Sequence, residues 1–168
     1  GPAAEPMTDA MERFLSHHWR EVAGRSGQPF DTAVLHRRDW IYDTETPCRA
    51  VVAARRVDPD LAWPAFERLQ RAFYAEGLIV SRADVYPEVL EGTGIDLDAF
   101  TAAFQAEDAV RKTWDDFGLA RRWGVTGFPT TILRAGDTGR ILAAGYTSAE
   151  RLDRLIGSLI DSEDATVD

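Results

Sequence analysis

Residues able to do chemistry are few in this sequence and lie far apart: one thiol at Cys48, a histidine pair at His17 and His18, a third histidine at His36, and the stretch Gly124 to Leu133, GVTGFPTTIL, built around Pro129. Cys48 stands near the start of an expected helix, where the helix dipole favours a thiolate, so a redox thiol is one reading. It also opens an apolar face with Val51 and Val52, and packing is the preferred reading, because buried cysteine behaves as a small hydrophobe. One cysteine makes no intrachain disulfide, no CxxC motif and no cysteine zinc cluster, so no catalytic residue for dithiol chemistry is assigned within this chain. Neighbouring helical side chains point about 100° apart, so His17 and His18 do not face one metal. His18 falls at the edge of an apolar face and His17 points outward, and either is a candidate to face a redox site. Neither a metal nor a cofactor is expected. The acidic residues form no catalytic dyad and read as caps and solvated faces, against a glycosidase or a metal hydrolase. Pro129 precedes the most strand-like run of the chain. Lacking an N–H for a ladder, it marks a special turn, of the kind where cis peptides occur.

Helices must position most of these groups. Met11, Phe14, Leu15, His18, Trp19 and Val22 recur at helical spacing and predict a helix over 9–24, with Asp9 and Glu12 as its capping pair and Gly24 at its end. Asp31 to Arg38 reads as a short helix. Thr46 and Pro47 read as the cap and first residue of a helix that carries Cys48, Val51, Val52 and Arg55 on one face. Phe66, Leu69 and Phe73 predict a buried stripe over 61–76, and Ser81 with Asp84 predicts a capped short helix. Further helices follow through Phe100 and Phe104, and through Trp114 and Phe117. Then the period changes from helical to alternating. Thr130 to Leu133 and Arg140 to Ala144 form an expected β-hairpin, and Thr147 with Glu150 caps a last helix bearing Leu152, Leu155, Ile156 and Leu159.

The organisation expected is thus α/β: a helical block over 8–123, a β-β-α unit over 124–162 and an acidic tail over 163–168. A two-stranded hairpin under one helix is marginal in water and leaves backbone edges unpaired, so a missing N-terminal part or another chain is expected to complete the sheet. The five tryptophans fit core packing, except that Trp123 and Phe128, on either side of the turn, border a candidate cleft with Thr126, Gly127 and Pro129. With 19 Lys and Arg against 28 Asp and Glu, the net charge is -9 and no basic run stands out. Nucleic acid and anionic membranes are therefore not expected partners. No apolar run is long enough for a membrane span and no signal peptide is visible, so a cytoplasmic protein is expected.

In its ordered motifs the sequence resembles the DsbA-type thiol-disulfide oxidoreductases, especially the FrnE-like subgroup. The motifs are His17-His18-Trp19, Ser26 to Phe30, Glu45-Thr46-Pro47-Cys48-Arg49-Ala50, Gln70 to Gly77, and the Gly127-Phe128-Pro129-Thr130 turn. The resemblance runs from about Glu5 to Ile160. It implies a thioredoxin-like fold with a large helical insertion, of which only the second half of the core, the β-hairpin and C-terminal helix, is present. The strand, CxxC helix and strand that open such proteins are not in this sequence. The resemblance further implies that Pro129 is a cis-proline, that the backbone of Phe128 pairs with an extended substrate peptide, and that the helical block forms a lid. The expected partner is a protein or peptide thiol or disulfide, with the nucleophile outside the chain. Two alternatives stand beside this: a non-catalytic remnant serving as a peptide-binding or interaction module, and a glutathione-using, kappa-type transferase or isomerase relative.

Overall fold

The structure is a computed structural model that describes residues 4–136 and 138–164. The expected tail therefore lies outside the described residues from 165 onward. The chain divides into two compact units, Gly1–Trp114 and Asp115–Asp168.

The first unit begins with a two-residue strand, β1 (Glu5–Pro6), and α1 (Asp9–Ser26). After a 3₁₀ turn at Thr32–His36 come β2 (Ile41–Tyr42), α2 (Glu45–Val57), α3 (Ala62–Tyr74), the single turn α4 (Tyr86–Val89) and α5 (Leu97–Gln105). Helix α6 (Glu107–Arg122) starts in this unit and ends in the next. Helix α2 packs against α3 and α5. Close approach is possible because α2 presents Ala50, Ala53 and Ala54 and α3 presents Ala65 and Ala72, all buried, and small side chains let helix axes draw together. Larger side chains fill the remainder. Tyr86 is fully buried, donates its hydroxyl to the Val80 carbonyl at 2.9 Å and meets Phe104 edge to face at 5.3 Å. A second aromatic group joins Trp19, Phe30, Phe73 and Tyr74.

Several local expectations are corrected. The cap of α1 is Thr8, whose hydroxyl accepts the Met11 N–H at 3.2 Å, while Asp9 and Glu12 turn to Arg38 and Glu12 also meets His36 at 2.8 Å. The Arg38 guanidinium, two residues beyond the 3₁₀ segment, holds those carboxylates in place of the helix N–H groups. Helix α1 passes through Gly24 and ends at Gly27, which has φ 70° and donates to the Ala23 carbonyl; this left-handed conformation is the one glycine adopts without a Cβ clash. Phe14 is 68% exposed, not inward, and stacks on the exposed His18. Helix α2 opens at Glu45, where Asp43 accepts the Glu45 N–H and the Thr46 hydroxyl, so Thr46 is inside the helix. Ser81 caps nothing; it donates to the Ile41 carbonyl at 2.8 Å and secures β2, which pairs antiparallel with β1.

The second unit contains the end of α6, then β3 (Thr130–Ala135), β4 (Thr138–Ala144) and α7 (Ala149–Asp164). Strands β3 and β4 are antiparallel, with Thr130 opposite Ala144, Ala135 opposite Thr138 and an irregularity between Thr131 and Ile132. Among the described residues they form a sheet of their own, with no third strand. Ser148, not Thr147, caps α7, its hydroxyl accepting the Arg151 N–H at 3.4 Å. No described side chain of this unit from Asp115 on is fully buried, and Ile141, Tyr146 and Leu133 are exposed.

Candidate functional site

The proline loop lies between α6 and β3. Gly124 ends the helix with φ 74°, and the N–H of Val125 returns to the Ala120 carbonyl at 3.0 Å. The chain then crosses Thr126, Gly127 and Phe128, all exposed, to Pro129, and the Phe128–Pro129 peptide is cis. Two bonds fix the far end. The Thr130 hydroxyl donates to the Gly127 carbonyl at 2.6 Å, and the Gly145 N–H donates to the Pro129 carbonyl at 2.7 Å. Phe128 is 85% exposed at the apex. A Cβ built on Gly127 would meet nothing within 4 Å, so the backbone there faces open space. Exposed backbone beside a large apolar ring is suited to hold an extended peptide, by main-chain bonds and one side-chain contact.

Trp123, expected beside this loop, is used elsewhere in its unit. Its indole lies 3.5 Å from the Cβ position of Gly139, and the Arg134 guanidinium sits 5.9 Å from its ring centroid. Arg134 pairs with Gly139, four residues along β3 from Thr130, so the tryptophan packs at the turn end of the hairpin.

The other candidates belong to the helical unit. Cys48 is half-buried in the first turn of α2, and its side chain borders an apolar cavity of about 170 Å³. His17 is exposed, 3.8 Å from Glu21, and His18 is stacked on Phe14. Among the described residues no cluster of His, Cys, Asp and Glu is arranged to hold a metal ion. No helix among them is long and apolar enough to cross a membrane.

One feature of this unit was not anticipated. Glu45 is buried, its carboxylate oxygen 3.3 Å from Nε of Arg49 at ion-pair distance but without hydrogen-bond geometry, and the Arg49 guanidinium lies 4.4 Å over the Phe104 ring. The signal was present in Glu45-Thr46-Pro47-Cys48-Arg49-Ala50, where the acid and base stand four residues apart.

A hairpin entered through a proline turn and followed by a helix, preceded in the chain by a helical block, is the order of elements in the thioredoxin-like disulfide oxidoreductases, and the chain belongs to the DsbA-like family: the model of the DSBA-like thioredoxin domain matches residues 34–157. Among solved structures it is similar to one from Nitrosomonas europaea whose proposed role is protein disulfide isomerase, at 30% identity and TM-score 0.87, covering 94% of this chain and 77% of that one. It is also similar to the cytosolic disulfide reductase DsbM of Pseudomonas aeruginosa, at 25% identity and TM-score 0.74, covering 97% of this chain and 80% of that one. The same reductase solved with GSH aligns at 27% identity and TM-score 0.73, over 95% and 78%. No match is found among curated proteins.

Proposed function

We propose that this chain is the client-binding part of a thiol-disulfide oxidoreductase or isomerase, with Phe128 and Pro129 as the peptide-binding element and Thr126 and Gly127 beside them. The attacking cysteine pair lies on polypeptide outside these residues. One thiolate of that pair attacks a substrate sulfur, forming a mixed disulfide and releasing the other substrate sulfur as thiolate; the second cysteine then displaces the substrate, and the pair leaves as a disulfide that an external thiol must reduce. The Phe128 loop carries this reading: a large apolar ring held in water by a backbone tied at Gly127 and at Pro129. Covering that ring with an apolar part of a client would remove its surface from water, which is favourable.

Glutathione is the external thiol favoured, because a similar reductase is known with GSH, and a cytoplasmic setting is favoured by the cytosolic description of that protein. The test is turnover of a disulfide peptide by the native polypeptide that carries this sequence, purified from its source, beside the 168-residue chain. The native polypeptide should turn over with glutathione or dithiothreitol, and the shorter chain should not. No turnover by the native polypeptide with either reductant overturns the enzyme reading and leaves a peptide-binding module.

A further inference from the structure

The apolar cavity of the helical unit is lined by none of the proline-loop residues and by no group used in the chemistry proposed for that loop. It opens between α2, α3 and β2, and Trp40, Tyr42, Phe66, Phe73, Tyr74 and Cys48 line it. At about 170 Å³, and half open to solvent, it has room for one aromatic ring. The rings brace one another: Trp40 meets Phe73 at 5.9 Å and Tyr42 at 6.0 Å, and Phe73 meets Tyr74 at 5.0 Å, all edge to face. Walls held in this way keep their shape when empty.

The polar content of the walls is specific. Trp40 is 6% exposed and its indole N–H has no acceptor among the described residues, although buried donors are nearly always paired. Burial pushes the phenol pKa values of Tyr42 and Tyr74 upward, so both stay neutral at physiological pH. Among the described residues no Lys or Arg lines the cavity, so its walls give an anion no cationic partner.

We propose that this cavity is a binding site for a small uncharged aromatic molecule that carries a hydrogen-bond acceptor, with its ring among Trp40, Phe66 and Phe73 and its acceptor on the Trp40 indole N–H. The Cys48 thiol in the wall reports occupancy. Because it is the chain's one cysteine, its alkylation is read directly as a mass shift.

Acetophenone is the probe, ethylbenzene its counterpart of similar shape without an acceptor, and the 168-residue chain the sample. Acetophenone should saturably move the Trp40 indole ¹H–¹⁵N resonance downfield and slow Cys48 alkylation by iodoacetamide. Ethylbenzene should slow alkylation without the downfield shift. In Trp40→Phe the affinity for acetophenone should fall about five- to tenfold, as expected for loss of one net hydrogen bond, while that for ethylbenzene holds. Absence of saturable binding by acetophenone overturns the proposal, as does a fall of equal size for both probes. Tighter binding of phenyltrimethylammonium than of tert-butylbenzene would make the site a cation cage and overturn it too. Should Trp40→Phe fail to fold, the indole shift in the unaltered chain decides between these outcomes.

Discussion

Phe128 and Glu45 show how differently two single residues act in this chain. Phe128 touches solvent on most of its surface, so Phe128→Ala should leave stability within about 0.5 kcal/mol of the parent chain while weakening an extended client peptide about tenfold, the loss expected from one well-placed aromatic contact. Denaturant unfolding and peptide titration measure the two effects, and a large loss of stability with unaltered peptide binding would count against the role. Glu45 is the opposite case. Its carboxylate is buried beside Arg49, and Glu45→Ala leaves a poorly solvated guanidinium over Phe104, for which a cost of about 3 kcal/mol is expected from equilibrium unfolding. Phe128 and Pro129 were legible as a loop because proline ahead of an apolar alternating run has few meanings. The packing of Trp123 on Gly139 was not legible, because a tryptophan near a turn reads the same whether it lines a cleft or covers a glycine.

At the level of elements, periodicity located the helices and the hairpin, and capping chemistry was the weaker guide. Thr8 and Asp9 are both good caps by type, and the choice between them depended on Arg38, far along the chain and invisible to a local pattern. The β1–β2 pairing escaped for a related reason: two residues per strand carry no alternation, and the Ser81 bond that secures β2 spans forty positions. The hairpin was legible, yet its packing depends on one missing side chain. A Cβ at Gly139 would lie 3.2 Å from Cγ2 of Ile132 and 3.5 Å from the Trp123 ring, so Gly139→Val should destabilise the second unit by about 1–3 kcal/mol. Hydrogen exchange at β3 and β4 should accelerate accordingly while α2 and α3 keep their protection. Uniform acceleration would mean that the two units do not unfold separately.

Over the whole molecule, membership of the DsbA-like family accounts for the order of elements, and similar solved chains are only partly spanned, to 77% and 80% of their lengths. Charge adds a condition. Hydrogen bonds from Arg38 lower the pKa values of Asp9 and Glu12, with His36 contributing to Glu12; Arg71 and Arg68 lower that of Glu76, and Arg56 lowers that of Asp108. Each folded pKa lies below its unfolded value, so the stabilisation is present above the unfolded carboxylate range and disappears as pH falls through the folded values. The urea midpoint should be level from about pH 7 to 5 and fall below about pH 4, less steeply in high salt. A midpoint level down to about pH 2.5 would remove these pairs from the account. The central claim, that the Phe128–Pro129 loop binds client polypeptide, is tested most directly by titrating the ¹⁵N-labelled chain with an extended, disulfide-containing peptide and following its amide resonances. The account predicts saturable shifts concentrated from Thr126 to Thr130, reduced in Phe128→Ala. Saturable binding whose shifts fall elsewhere, or no binding at all, would contradict it.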